Sequence, residues 1–471
     1  MTEMQASTLP VMEALKAALG AHEVLTGAEV GAKYLEDWSG ARVDSVLALL
    51  RPRSTAELSA ILKICHAHGQ TVVPQGGLTG LVGGGVPGRQ DVAISLERMN
   101  RVEAIDLDSG TVTVQAGAIL QNVQDACRDA GGFLALDLGA RGSCQVGGNL
   151  STNAGGNRVI RYGMARDLVL GLEAVLADGT VLSMMNQMVK NNAGMDLKHL
   201  FIGSEGTLGI ITRAVLKLHP QPAGASTAVV ATPDYASALR FLRHAQKRLS
   251  GQVSAFEIMW NEYLSTVVDC CGLRAPLSLE HPVYVLTDMQ GGQPEADAER
   301  FQAMLEEAIE AGWIIDGAVA QSVAEAEAFW AIRDGVADVL RDFAPTINFD
   351  VSVPVGRIGE CAERIRANLD ARFPALKALF FGHVGDGNLH VVACSVPPEH
   401  DAQVRIEEAV YSVVRDFGGS ISAEHGIGTL KTDWLGYSRS PAEIATMRAL
   451  KQALDPRGIL NPGKLIPPAG A

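Results

Sequence analysis

The stretch FGHVGDGNLH, Phe381 to His390, sets two histidines on either side of a Gly-Asp-Gly turn in a chain with only 11 histidines. Asp386-Gly387 is a hairpin-turn pair. The flanking runs ALFFGH and NLHVVAC read as strands, so His383 and His390 should sit near the turn on neighbouring strands. Imidazoles so placed can share a divalent metal; the same rings could instead be bonded only to backbone or water. A second segment, AEHGIG, follows an apparent strand, GGSISAEHG, and adds Glu424 beside a further imidazole, His425. Two histidines and a carboxylate form a three-ligand set with open positions, which is the arrangement of a catalytic metal site. Asn388 fits turn support better than metal binding. In FWAIRDGVADVLRDF, Phe329 to Phe343, a helix would put Arg333 on the face of Trp330. An arginine over an aromatic suits a bidentate carboxylate clamp; the alternative is a surface ion pair with Asp334 or Glu325.

These residues need elements to hold them. Residues 45 to 220 alternate short β-type runs (VLALLRP, TVVPQ, DVAISL, TVTVQAG, LGLEAVLADGTVL, TLGIITRAVLKL) with two helices. The first helix is STAELSAILKICHAHG, with Ser54 or Thr55 as cap and Glu57 near the third position. The second is AILQNVQDACRDAGG, ending in glycines. HPQPAG, His219 to Gly224, looks like a domain boundary. Beyond it, strands (STAVVATP, YVLTDMQ, INFDVSVPV, ALFFGHV, LHVVACSV) alternate with longer helices, the pattern of an α+β domain whose antiparallel sheet is covered by helices.

Three glycine-rich loops lie in the first region: VPQGGLTGLVGGGVPG from Val73, LGARGSCQVGGNLSTNAGGNRVIRYG from Leu138, and IGSEGTLGIIT from Ile202. Backbone amides and small side chains suit a large, flat, polar ligand lying against the chain. Neither the Rossmann register nor a Walker A lysine is present.

Composition excludes several classes. The 471 residues carry a net charge of −14 and no basic run, which argues against a nucleic-acid partner. Hydrophobic content of 47% supports sizeable cores, and no apolar run reaches the length of a membrane span. MTEMQASTLPVMEALKAALG reads as an amphipathic helix, not a signal peptide. The 7 cysteines are scattered, without CxxC, which fits a reducing compartment and a cytoplasmic location.

Six motifs in order (PQGGLTGLVGG, GSCQVGGNLSTNAGG, KNNAGMDLKHLFIGSEGTLGI, GHVGDGNLH, AEHGIG, LNPGK) resemble the FAD-linked D-2-hydroxy acid dehydrogenase family, the D-2-hydroxyglutarate and D-lactate dehydrogenase branch of the vanillyl-alcohol oxidase superfamily. The resemblance implies an α+β protein. It would have a two-part FAD-binding domain of vanillyl-alcohol oxidase type and a substrate domain with a helix-covered antiparallel sheet. The expected divisions are an N-terminal helical segment (1–44), the FAD-binding domain (45–220), the substrate and metal domain (221–420), and a C-terminal segment packing back on the flavin (421–471).

By the same resemblance, Pro74, Gly76, Gly77, Leu78, Thr79, Gly80 and Leu81 form the pyrophosphate loop. Gly139, Ser143, Gly147, Gly148, Asn153 and Gly156 line the flavin. Gly206 and Ile210 meet the cofactor through backbone, and Asn461 closes over the isoalloxazine. Leu78 stands where many hydroxyglutarate dehydrogenases have asparagine. No histidine occurs between His68 and His199, so FAD is expected to be dissociable. His383, His390 and Glu424 are implied as ligands of a divalent metal, zinc being the expectation, with His425 as general base and Arg333 as substrate clamp.

The implied reaction removes the hydroxyl proton and the α-hydride of a 2-hydroxy acid. Ala337, Asn348 and Val392 replace a Thr, a Lys and an Asn of the hydroxyglutarate pattern. Each change removes a polar group, which favours D-lactate or a more apolar acid. The implied partners are the hydroxy acid, an electron acceptor such as an electron-transfer flavoprotein or a quinone, and a second copy in a homodimer. A metal-dependent hydrolase without flavin, an oxygen-using oxidase and a non-catalytic subunit are the alternatives.

Overall fold

The computed structural model describes residues 3–397 and 399–467; the first two residues of the expected N-terminal helix and the last four of the chain lie outside them. The chain divides into two units, one of Met1–Ala154, Met164–Pro220 and Glu424–Ala471, the other of Gly155–Gly163 and Gln221–Ala423.

In the first unit, strands β1 (Val24–Leu25), β2 (Ala48–Leu50), β3 (Val72–Gln75) and β4 (Val92–Ser95) form a sheet in the order β1-β2-β4-β3. β2 and β3 run parallel to β4. The sequences ALL and VAIS are entirely buried, as expected for short apolar runs covered on both faces. A second sheet holds β5 (Val102–Asp106), β6 (Thr111–Gln115), β7 (Val169–Val175), β8 (Val181–Met184) and β9 (Ile210–Lys217), antiparallel in the order β5-β6-β9-β7-β8.

Helix Thr55–His68 begins where expected: the Ser54 hydroxyl accepts the Glu57 N–H at 3.2 Å, and Leu58, Ile61, Leu62 and Cys65 fill its buried stripe. The C-terminal residues extend the first sheet beside β3. The Val72 N–H donates to the Ile459 carbonyl, and the Asn461 N–H donates to the Val72 carbonyl, each at 2.8 Å.

The second unit is built on one antiparallel sheet of seven strands: β10 (Gly224–Thr232), β11 (Val253–Trp260), β12 (Val283–Gly291), β13 (Asp316–Val319), β14 (Ile347–Ser352), β15 (Lys377–His383) and β16 (Asn388–Cys394). Their order is β13-β10-β12-β11-β15-β16-β14. Alternation sends Phe256 to one side of β11, against Phe241 of helix Tyr235–Arg248, with ring centroids 5.4 Å apart. Phe381 of β15 points to the other side, where it stacks at 4.2 Å on Tyr263 of helix Asn261–Cys271. The helix-covered antiparallel sheet is therefore as expected.

Two local expectations are corrected. Residues 329–343 are not one helix: Val323–Asp334 and Val336–Asp342 break at Gly335, where a Cβ would lie 2.4 Å from Val267 Cγ1. GGSISAEHG is not a strand; it makes a single bridge, Ser420 to Ser352, before bending away.

Candidate active site

The second unit gathers its polar residues on one face of the sheet. Glu257 on β11 is the cross-strand partner of His383 on β15. Phe381 pairs with His390 across β15 and β16, and His390 pairs with Asp350 across β16 and β14. The two imidazoles sit 5.3 Å apart, centroid to centroid, and nearly perpendicular at 79°. The turn between their strands runs through Val384–Asp386 to Gly387, whose φ of 97° lies in the left-handed region that favours glycine.

Asn388 follows this turn: its backbone N–H donates to the Asp386 carboxylate at 3.2 Å, and its side-chain amide donates to the wholly buried Asp350 at 2.6 Å. The Ala423 N–H donates to the Asp350 carbonyl at 3.1 Å, which fastens the last residue of this unit to the sheet. Glu424 follows by one peptide bond. One ligand atom each from His383, His390 and Glu424 lie within 4.8 Å of one another; so do ligand atoms of Asp350, Glu424 and His425. Two neutral imidazole nitrogens and a carboxylate fit a divalent ion of the zinc type.

Glu257 was not singled out by the sequence. It is buried, accepts from Arg333 Nε at 2.8 Å on one oxygen, and lies 2.7 Å from His383 Nδ1 with the other. Burial opposes its charge, yet His383 and Arg333 beside it hold the carboxyl below its ordinary range. Arg333 Nη2 lies 3.0 Å from His383 Nε2. Burial works against the Arg333 charge too, but the Glu257 carboxylate raises its pKa above the usual value. The aromatic beneath Arg333 is Phe381, at 5.3 Å, and not Trp330; its principal anion is Glu257, with Asp334 farther off at 3.5 Å.

Beyond His390 the same face presents Asn348 paired with Val392. Val392 is buried in an apolar cluster with Phe381 and Tyr263, whereas Ala337 is exposed on its helix.

The first unit brings its glycine loops together. Pro74 lies within β3, which ends at Gln75, and the loop expected to take the pyrophosphate follows through Leu81. A Cβ on Gly77 would lie 2.1 Å from the Ser143 carbonyl oxygen, and one on Gly76 would meet Gly148 Cα at 3.5 Å. One on Gly147 would meet Ala116 Cβ at 2.6 Å, and one on Gly206 would meet Pro74 Cγ at 2.6 Å. The contacts under 3.0 Å explain why glycine stands at 77, 147 and 206, whereas that of Gly76 is an ordinary van der Waals distance. Gly139, by contrast, faces open space, and Ile210 begins β9 as a core residue. Asn153 has a φ of 52° and accepts the Arg166 N–H at 2.9 Å; Gly156 falls in the segment that belongs to the second unit. Cys144 is buried, and burial pushes its thiol up.

Asn461 donates to the Gly84 carbonyl at 3.1 Å and the Glu205 carbonyl at 2.7 Å, tying the first and third loops to the C-terminal segment. The buried carbonyl oxygens of the Gln145, Asn149 and Asn461 side chains lack a partner among the described residues. Buried acceptors of this kind, beside a cradle too tight for side chains, fit a large ligand that carries its own donors, as FAD does.

Glu205 also went unremarked in the sequence. Both its oxygens accept backbone N–H groups, from Ile427 and Gly428 at 2.7 Å each, immediately after the His425-Gly426 pair. Burial pushes this carboxyl up against those two donors. Both missed carboxylates lie in apolar or glycine-rich runs, and only their neglected charge signalled them.

Two family models match the chain. Residues 46–184 match the family model "FAD binding domain", and residues 221–465 match "FAD linked oxidases, C-terminal domain". The chain is 40% identical over 432 residues to a mitochondrial D-2-hydroxyglutarate dehydrogenase of Arabidopsis thaliana, covering 92% of this chain and 77% of that protein. It is 41% identical to the Bos taurus counterpart, covering 92% and 79%. With a D-2-hydroxyglutarate dehydrogenase of Xanthomonas citri pv. viticola it shares 38% identity over 92% of each chain. Among solved structures, p-cresol methylhydroxylase with substrate bound matches at a TM-score of 0.80 and 17% identity over 98% of each chain. Alkyldihydroxyacetonephosphate synthase matches at 0.74 and 19%, over 96% of this chain and 84% of that one. At such identities the likeness is one of fold.

Proposed function

Because the chain belongs to the FAD-linked D-2-hydroxy acid dehydrogenase family, we propose that it oxidises a D-2-hydroxy acid to the 2-oxo acid with dissociable FAD and a divalent metal. It is an FAD-dependent oxidoreductase acting on a CH–OH group. The observation that carries the finer reading is the convergence of His383, His390 and Glu424 ligand atoms within 4.8 Å. Pro74, Gly76 to Leu81, Gly139, Ser143, Gly147, Gly148, Asn153, Gly156, Gly206, Ile210 and Asn461 would hold the FAD.

When bound, FAD supplies the acceptor for the hydrogen and two electrons leaving the α-carbon, and the cation supplies Lewis acidity at the α-hydroxyl. The protein residues supply the remainder. His425 takes the hydroxyl proton, a role to which imidazole is suited near neutral pH. Arg333 presents a fixed positive charge to a carboxylate, held in place by Glu257 on one edge and Phe381 on its face. The apolar wall around Phe381 and Val392 excludes water from this end of the face.

D-2-hydroxyglutarate is the substrate that the relatives' names favour. A second reading, D-lactate or a more apolar D-2-hydroxy acid, is favoured by Asn348 and Val392, which face each other and offer no cation to a second carboxylate. The reading extends to reoxidation by an electron-transfer flavoprotein or quinone, to a homodimer, and to a cytoplasmic location consistent with free cysteines.

The test is a panel of D- and L-2-hydroxy acids with an artificial acceptor, before and after chelation. Activity on one enantiomer that is lost with the metal supports the reading; equal rates on both, or indifference to chelator, would overturn it. His425→Ala should lower kcat by about 10²–10⁴-fold while the protein stays yellow, as absorbance and steady-state rates would show.

A further inference from the structure

Glu257 lies outside the metal set and outside the acid–base pair, yet both of its carboxylate oxygens are engaged on the second unit's face. Its backbone is directly opposite His383 in the β11–β15 ladder, so the pleat alone points both side chains to the same side at neighbouring positions. One carboxylate oxygen lies 2.7 Å from His383 Nδ1, the other 2.8 Å from Arg333 Nε. The side chain is 1% exposed, so water does not weaken either contact.

The consequences follow from imidazole chemistry. An acceptor-only carboxylate at Nδ1 requires the proton to sit there, which makes Nε2 the acceptor atom of the ring. Arg333 Nη2 lies within donor distance of that same nitrogen, at 3.0 Å, so a cation at Nε2 would take the place of this contact and stand beside a permanent positive charge. Without a compensating anion the two positive charges would repel. Glu257 is the only anion bonded to both groups in the described contacts.

We propose that Glu257 is a positioning residue that fixes the His383 tautomer and neutralises Arg333, so that His383 Nε2 can bind a divalent cation beside the guanidinium. The proposal rests on the metal reading given above. Outer partners of this kind are worth about 10–100-fold in metal affinity.

The test uses the FAD-loaded full chain and zinc itself. Zinc content per chain is measured first on the unaltered protein, then zinc retention is titrated against a chelator for Glu257→Gln, with FAD content measured in parallel. A wild-type protein that takes up no stoichiometric zinc would defeat the metal reading itself. If wild type holds zinc, Glu257→Gln should release it at about 10–100-fold lower chelator concentration with FAD content unchanged. Wild-type retention in Glu257→Gln would overturn the role of Glu257 and leave the metal reading standing. Should Glu257→Gln fail to accumulate, Glu257→Asp keeps the buried charge but withdraws it by one methylene. Weakened zinc retention at full FAD content then supports the proposal, and wild-type retention overturns it.

Discussion

Two residues show how much local cost the chain accepts. Leu78 holds a φ of 55°, in a region where a non-glycine side chain costs about 1–2 kcal/mol. Its side chain offsets this by packing on Val30, Tyr34, Val46 and Leu49. Leu78→Ala keeps the strained backbone and loses the packing, so it should cost about 2 kcal/mol or more. Leu78→Asn also loses the packing but is at ease in the left-handed region, and should cost less than alanine in thermal denaturation. The reverse order would mean that the backbone strain is not what matters. Arg333 carries a heavier consequence. Because its partner Glu257 is almost wholly buried, Arg333→Ala leaves an uncompensated charge and should cost about 3–5 kcal/mol of stability besides raising KM. A rise in KM at unchanged melting temperature would show that the pair is not coupled as described.

At the scale of elements, Glu205 joins two loops far apart in sequence. It sits between Ser204 and Gly206 of the third glycine loop with φ of 51°, and its carboxylate receives the Ile427 and Gly428 N–H groups. A Cβ on Gly426 would come within 2.7 Å of the same carboxylate, so the turn after His425 is moulded on this side chain. Glutamine offers one acceptor and turns a donor toward the second N–H. Glu205→Gln should therefore displace the turn and lower kcat by about 10–100-fold while FAD remains bound, measured by steady-state kinetics beside flavin absorbance. Unchanged kcat would show that the turn is held by other means.

Elements of this kind also mark what the sequence reveals and what it does not. Ser54 and Glu57 identified the start of a helix, and Asp386-Gly387 identified a hairpin, because capping and turn chemistry are local. The glycine loops and the histidine–glutamate set were legible as motifs. Strand β11 was not, since its SAFEIMW mixes sizes without clean alternation, and Glu257 went unseen with it. The pairing of Glu257 with His383 spans 126 positions and exists only through sheet register. The need for glycine at 335 was hidden for a similar reason: the neighbour a Cβ would meet is Val267, on another helix.

For the whole molecule, the division into two units separates the residues proposed for FAD from most of those proposed for the metal and substrate. The glycine loops and Asn461 fall in the first unit, apart from Gly155–Gly163 at the end of the second loop. His383, His390, Glu257 and Arg333 fall in the second, and Glu424 begins the return of the chain to the first. Each unit has its own apolar core, one around the two smaller sheets and one on the seven-stranded sheet. A ligand that binds only the folded form stabilises the unit that holds most of its contacts, by about 2.7 kcal/mol at a hundredfold excess over its Kd. For units of this size that corresponds to a shift of about 5–10 °C. Scanning calorimetry should thus resolve two transitions, one raised by FAD and the other raised by zinc and lowered by chelator. The zinc-sensitive transition should lose its response in Glu257→Gln, and the FAD-sensitive one should keep it. A single transition raised equally by both ligands would show that the two cores do not unfold as independent units, and that the binding energies are shared across the chain.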